Sequence, residues 1–201
     1  MRDKHGLTEE EFLEQYTPKA YPHPSLTADI CVFRKSGPTG LQLLLVQRGG
    51  HPYLGYWATP GGFVQPDETA DHAAARELEE ETGAFGLALE PLALYSTPGR
   101  DPRVWTVSYS FVALDAEGVT VRAGDDAAKA AWFDVSATES EGRLRLDLTC
   151  GRDSLSTTFS VVNQAVTAMP RAADVVGDGL AFDHADIVAD AWLRLRHADL
   201  L

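Results

Sequence analysis

The sequence predicts an α+β fold: one domain over residues 25–201, preceded by an arm at residues 1–24. Three observations carry that prediction. The chain has 201 residues and is 44% hydrophobic, enough for one domain-sized core with some length left over for an arm or insertion. Strand-type runs outnumber helical ones, in the order β-β-β-α-β-β-β. Residues 69–82 carry Ala, Leu and Glu without a breaker and are followed by Gly83, which reads as a helix with a glycine C-cap.

The arm opens with Thr8-Glu9-Glu10-Glu11, a capping-box pattern that predicts a short helix through Tyr16. Pro22 and Pro24 end it. Residues 26–34 (LTADICVFR) and 41–48 (LQLLLVQR) are β-rich, and SGPTG between them has turn chemistry. Residues 49–68 form a Gly/Pro/aromatic loop with a short strand around Trp57–Thr59. Further strands are expected at 87–95, 104–114 and 130–135. A hairpin follows near 143–162: Leu144, Leu146 and Leu148 share one face, Phe159 and Val161 suit the partner strand, and Cys150-Gly151-Arg152-Asp153 supplies the turn. Residues 163–179 are small and polar and read as irregular. Residues 183–197 read as a final helix, with Asp183 as N-cap and Ile187, Ala191 and Leu195 as its apolar stripe.

Composition narrows the function classes. The formal net charge is −13, a surface that repels nucleic-acid backbones unless positive charge is clustered. A small phosphorylated ligand is still compatible, because a bound cation reverses the local field. No apolar run has membrane-spanning length, and the charged N-terminus lacks the apolar core of a signal peptide. A cytoplasmic protein without a membrane or nucleic-acid partner is therefore expected. Two cysteines, Cys31 and Cys150, make neither a disulfide framework nor a zinc site.

The informative segment is Gly61-Gly62-Phe63-Val64-Gln65-Pro66-Asp67-Glu68, followed by Arg76-Glu77-Leu78-Glu79-Glu80-Glu81-Thr82-Gly83. Glu77, Glu80 and Glu81 are spaced i, i+3, i+4 and share one helix face. Each like-charged pair costs roughly 0.2–0.5 kcal/mol on an isolated helix, and the last turns of a helix disfavour anions. A cation held between the three removes both penalties, and hard carboxylate oxygens suit Mg²⁺ or Mn²⁺. A solvated acidic face is the alternative reading of the cluster alone. The surroundings favour the metal: Gly61-Gly62 lets backbone approach a ligand, with a carbonyl available to the ion. Arg76 stands ready to orient a carboxylate by a forked hydrogen bond, with Glu68 at the start of the same helix as its partner.

From Gly62 to Gly83 the segment resembles the Nudix box: Gly62, Glu68, Arg76, Glu77, Leu78, Glu80, Glu81 and Gly83 all stand where that family's pattern has them. Ala84 departs from it, where the family prefers a bulkier aliphatic. The resemblance implies a mixed sheet sandwiched between helices, with the box as a loop–helix–loop. It implies that Glu77, Glu80 and Glu81 bind metal together with the carbonyl of Gly61, while Arg76 and Glu68 hold the geometry. It further implies that water attacks a phosphorus. The general base varies within the family. Glu77 or a distal acid (Asp125, Asp126, Glu139 or Glu141) is the candidate here.

A second feature is Thr97-Pro98-Gly99-Arg100-Asp101-Pro102-Arg103. Arg100 and Arg103 on this stiffened loop suit a diphosphate clamp; the alternative is a solvated turn with Arg103 paired to Asp101. Phe63, or Tyr53 before it, offers a ring for a base or ribose, or simply covers the sheet. Trp57 and Trp132 read as core or sheet residues, and Asp183-His184 as a helix cap before a ligand. Together HPSLTADICVF, HPYLGYWATPGGFV, PGRDPR and LAFDHADIV are similar to the branch holding ADP-ribose pyrophosphatase-like enzymes and Nudix-related regulators of NAD metabolism. That likeness implies ADP-ribose as the nucleotide substrate, cleaved to AMP and ribose 5-phosphate, and a homodimer. A regulator needs a basic helix-turn-helix module. Residues 151–201 hold four Lys/Arg against seven Asp/Glu and one good helix. Other Nudix substrates, such as sugar nucleotides, NADH or oxidised nucleotides, stay open.

Overall fold

The structure is a computed structural model, and it describes residues 1–37, 40–116, 118–122 and 127–201. Pro38 and Thr39 of the first turn, and Asp125 and Asp126 among the candidate bases, lie outside the described residues. The elements run α1 (Glu9–Gln15), β1 (Ser25–Ser36), β2 (Gly40–Arg48), β3 (Trp57–Ala58), β4 (Gly61–Phe63), α2 (Ala70–Thr82), β5 (Glu90–Tyr95), β6 (Thr106–Asp115), β7 (Ala127–Ser140), β8 (Arg143–Cys150), β9 (Asp153–Asn163), β10 (Pro170–Asp178) and α3 (His184–His197). The mixed sheet between helices expected from the resemblance is what forms.

Among the described residues ten strands join one sheet, with the path β10-β9-β8-β7-β2-β1-β6-β5 and with β3 on β2 and β4 on β1. The β1–β6 pair is parallel and the others are antiparallel. Helix α2 covers one face and α3 the other. Successive side chains on a strand point to opposite faces, so β1 feeds two cores. Ala28, Ile30 and Val32 pack with Ala73, Ala74 and Leu78 of α2. Cys31 and Phe33 pack with Ile187, Val188 and Trp192 of α3. A sheet covered on both faces reads as continuous apolar runs rather than alternation, which is why TADICVF and LQLLLV look as they do.

One edge of β1 is shared by two partners. Phe33–Ser36 pair with β2, whereas Thr27–Asp29 pair with β4, and the amide of Ile30 donates to the carbonyl of Pro60 at 2.8 Å. The 49–68 loop thus folds back into the sheet where β1 and β2 part. The notch this leaves is the site described below.

Both capped helices follow their sequence signals. Thr8 and Glu11 close the capping box of α1. Thr69 caps α2 through its bond from the His72 amide, and Gly83 ends it at φ 69°, in the left-handed region that glycine enters without cost. The expected hairpin also forms, with Cys150 paired to Asp153 around Gly151. Leu144, Leu146, Leu148 and Phe159 are buried, while Val161 lies past the core and is exposed.

Two expectations need correction. Residues 163–179 are not irregular throughout, because Pro170–Asp178 forms β10 against β9. The alternation that would have shown it is broken by a register shift between Ala173 and Val176, where Asp174 takes φ 51°. This is a bulge, which re-aims a strand and hides its period. The carboxylate of Asp190 on α3 also holds β10 by accepting the Ala172 amide at 2.7 Å, a contact 18 positions distant that no local pattern encodes. Second, Asp183 stands at the start of α3 but makes no side-chain cap bond. Its carboxylate is taken by Arg100 instead.

Candidate active site

The notch opens into a cleft of about 460 Å³, in the size range of small-molecule sites. One end is acidic. Glu77 and Glu81 project from α2 toward the Gly61–Gly62 backbone. The Gly61 amide donates to Glu81 at 3.0 Å. A Cβ on Gly62 would collide with the Glu77 carboxylate. A Cβ on Gly61, whose φ is 155°, would meet Asp29 Oδ1 at 2.7 Å. The two glycines are therefore required by close approach on both sides.

Arg76 organises the acids. Its guanidinium forks onto Glu68 at 3.1 and 2.7 Å, reaches Glu77 at 2.7 Å and Glu80 at 2.9 Å, and donates to the Phe63 carbonyl at 3.2 Å. The expected Arg76–Glu68 partnership is present in bidentate form. The carboxylate triad is not gathered: Glu77 and Glu81 line the cleft, while Glu80, with a side chain 58% exposed, turns onto Arg76. Among the described residues no three Asp, Glu, His or Cys side chains are close enough together to hold an ion.

Burial dominates the electrostatics of the acids inside. Desolvation pushes the Glu81 carboxyl up to about 7, against the opposing bond from the Gly61 amide. Desolvation also raises Glu77, with Arg76 pulling the other way.

The sequence did not single out Asp29, Arg48 or Phe182, and it read His184 as part of a helix cap before a ligand. Asp29 is buried beneath the cleft, accepts a hydrogen bond from the Ser108 hydroxyl and lies 3.9 Å from both Arg100 and His184. A carboxylate inside the apolar run TADICVF was the signal that could have found it, since buried charges are rare without partners. His184 is buried, its Nδ1 3.0 Å from the Thr59 amide, and burial pushes its pKa down. Arg48 and Phe182 also line the cleft. Nothing in their local sequence distinguishes them.

Arg100 and Arg103 both line the cleft but are held by different partners. Arg103 stands at the rim, 42% exposed and doubly bonded to Asp101 at 3.1 and 2.8 Å, as the turn alternative anticipated. Arg100 is 5% exposed and spends its fork on Asp183 at 2.8 and 2.6 Å. Phe63 lines the cleft, Trp57 is buried in the sheet and Trp132 is partly buried. Glu139 and Glu141 do not line the cleft; Glu139 sits in a separate groove with Leu193 and Arg196.

The model of the NUDIX domain matches residues 23–148, and the chain belongs to the Nudix family. It is 38% identical over 118 residues to an ADP-ribose pyrophosphatase of Methanocaldococcus jannaschii, covering 59% of this chain and 66% of that one. It is 40% identical over 109 residues to the ADPR responsive transcriptional repressor NtrR of Acinetobacter baylyi, covering 53% of this chain and 43% of that one. A crystal structure of a MutT/nudix family protein from Enterococcus faecalis superposes with a TM-score of 0.78 at 33% identity, over 95% of this chain and 70% of that one. The chain thus spans less than two thirds of the length of either curated relative.

Proposed function

We propose that this cleft hydrolyses the pyrophosphate of a nucleoside diphosphate derivative, with ADP-ribose the first candidate, giving AMP and ribose 5-phosphate. The observation that carries the reading is one cleft lined both by the acids Glu77 and Glu81 and by the arginines Arg48, Arg100 and Arg103. Such a site accepts a diphosphate between its cations and a divalent ion at its acids.

The donor set fits a hard divalent cation. Glu77 and Glu81 are carboxylates whose ionised forms are desolvated, and Gly61 brings a backbone carbonyl. Glu80 joins them by rotating an exposed side chain and giving up one Arg76 contact. Mg²⁺ or Mn²⁺ bound there supplies charge stabilisation on the phosphoryl oxygens and a water of lowered pKa. The chain's own residues do the rest. Arg76, anchored on Glu68, holds Glu77 in place. The Gly61 amide fixes Glu81, and Arg103 at the rim faces the diphosphate while Arg100 braces the wall behind it through Asp183.

The test is a hydrolysis panel of ADP-ribose, NADH, sugar nucleotides, dinucleoside polyphosphates and oxidised dGTP, each with Mg²⁺, with Mn²⁺ and with EDTA. Metal-dependent turnover favouring ADP-ribose supports the reading; turnover favouring another substrate overturns its substrate part. A second reading, ADP-ribose sensing without turnover, draws on the likeness to the Acinetobacter repressor. It predicts binding and no hydrolysis. Against a DNA-reading role for this segment, residues 151–201 fold as sheet plus α3 packed on the core, not as a basic three-helix module.

We also propose a homodimer joined through the arm. None of the α1 residues is buried, and Phe12, Leu13 and Tyr16 are exposed apolar side chains. Phe12→Ser with Leu13→Ser should convert a dimer to a monomer in light scattering. A wild-type monomer removes the proposal.

A further inference from the structure

The sheet face covered by α3 changes character where it enters the cleft. Successive residues of a strand alternate between faces. On the α3 side, the parallel β1 and β6 place Cys31 opposite Val112, Asp29 opposite Ser110, Thr27 opposite Ser108 and Ser25 opposite Thr106. Cys31 and Val112 belong to the α3 core. The pairs beyond them are polar, and Thr27, Asp29, Thr106, Ser108 and Ser110 are all buried. Thr27, Asp29 and Thr106 line the cleft.

Burying a hydroxyl is costly unless it is hydrogen-bonded, and the neighbours of Thr27 are provided for. Ser108 donates to Asp29, Ser110 lies 3.3 Å from the Ser108 oxygen, and Thr106 donates to the Val104 carbonyl at 3.2 Å. Thr27 is the exception. It is 8% exposed, and its Oγ1 has no hydrogen-bond partner among the described residues. Valine has nearly the same shape, suits a strand as well and carries no such penalty. An unpaired buried polar atom calls for a reason. In the wall of a cleft, the reason that fits is a ligand group that pairs with it on binding.

The surroundings indicate the chemistry of that group. Beside Thr27 in the sheet stand Ser108 on β6 and Phe63 on β4, both uncharged. A hydroxyl both donates and accepts, so it recognises a neutral hydrogen-bonding group rather than a charge. Ribose hydroxyls are the neutral groups of this kind that a nucleoside diphosphate sugar carries in number.

Resting on the nucleotide reading above, we propose that Thr27 is a specificity-determining residue whose hydroxyl pairs with a ribose hydroxyl of the ligand, so that the cleft selects ribose over deoxyribose compounds. A site built to hydrogen-bond a ligand hydroxyl rejects the analogue lacking it, because the site's own polar group is then left unpaired. The free protein already carries that unpaired group, and the ligand relieves it. Stability and affinity therefore respond to removal of the hydroxyl with opposite signs.

The experiment joins thermal melts of the ligand-free full chain to calorimetric titration, with Mg²⁺ present, by AMP and by ribose 5-phosphate. Each ligand is run beside its 2-deoxy and 3-deoxy analogues. The proteins are wild type, Thr27→Val and Thr27→Ser, with Thr27→Ala carrying the same comparison should valine fail to fold. Valine should melt roughly 2–4 °C above wild type. It should bind one of the two ligands about three- to tenfold more weakly, and which one tells which ribose of an ADP-ribose-like compound meets Thr27. That deficit should vanish with the single deoxy analogue that lacks the partner hydroxyl, as in a double-mutant cycle. Serine, which keeps the hydroxyl, should bind close to wild type.

A valine variant that melts below wild type overturns the proposal, because the hydroxyl is then already satisfied in the free protein. Valine that binds both ligands as wild type does also overturns it, and so does a deficit equal across all the deoxy analogues. The result is separable from the hydrolysis panel. Wild type that binds neither ligand removes the nucleotide reading and the ribose contact together. Wild type that cleaves ADP-ribose, with no loss of affinity in valine, removes the contact alone. A chain that cleaves nothing yet shows the deoxy-dependent deficit loses the hydrolase reading and keeps the contact.

Discussion

The imidazole of His184 and the backbone of Thr59 meet across 125 positions of sequence. The Thr59 amide donates to Nδ1 at 3.0 Å, and the Thr59 hydroxyl lies at the same distance. In the neutral ring the proton is then on Nε2, which faces Asp29 at 3.9 Å. This contact ties the start of α3 to the turn that carries Gly61, so α3 helps shape the cleft.

His184→Ala leaves the buried Thr59 amide without an acceptor, a loss of about 1–3 kcal/mol. A melting temperature lower by roughly 2–10 °C is expected for a chain of this size, together with reduced turnover. His184→Asn, which offers a side-chain oxygen in place of Nδ1, should recover part of both. Alanine without effect in a thermal melt removes the tie.

Glu81 gives a pH dependence with a definite sign. Its folded pKa, pushed to about 7, lies above its unfolded value, so the folded state binds the proton more tightly. That contribution is complete below the unfolded pKa and is lost as pH rises toward 7 and through it. Comparing urea unfolding of metal-free wild type with Glu81→Gln from pH 4 to 8, the variant should gain relative stability as pH rises, by up to about 3 kcal/mol. Added Mg²⁺ should reverse the order in favour of wild type above neutral pH, because carboxylate ligands bind metal deprotonated. A flat difference between the two proteins sinks the assignment of a desolvated Glu81.

Glu80 separates chemistry from stability. Its side chain is mostly exposed and bonds only within the Arg76 cluster, so Glu80→Gln should change stability by no more than about 0.5 kcal/mol. Most turnover in the metal-dependent assay should nevertheless disappear. Unimpaired activity in this variant removes Glu80 from the metal site.

Asp190 anchors the added edge of the sheet. It accepts the Tyr95 hydroxyl at 2.7 Å and the Ala172 amide at 2.7 Å, and pairs with Arg171 at 2.8 Å. Asp190→Ala leaves the Tyr95 hydroxyl and the Ala172 amide without their acceptor, while the partly exposed Arg171 is rehydrated, and should cost about 2–4 kcal/mol. Amide exchange should accelerate first along Pro170–Asp178. Uniform loss of protection, with no preference for β10, contradicts the anchoring.

The parts of this protein that a short window of sequence contains were legible in it. The helix Ala70–Thr82, its Gly83 cap, the Arg76–Glu68 fork and the glutamates facing Gly61–Gly62 all lie between residues 61 and 83. Spacing along a helix determines which of those side chains share a face. The double-sided core was legible too, because continuous apolar strands are what burial on both faces demands.

Tertiary structure decided what depends on contacts between distant segments. Arg100 lines the cleft with Arg103, and Asp183, 83 positions away, takes its fork. The strand Pro170–Asp178 exists because β9 and Asp190 hold it, against a bulge that erases its alternation. Asp29, Arg48 and the Phe182–His184 segment come from three separate stretches and meet only because the 49–68 loop splits the edge of β1 and α3 closes over the opposite face. Periodicity records which side of an element is buried; it carries no record of what lies across the gap, and the wall of this cleft is made of such gaps.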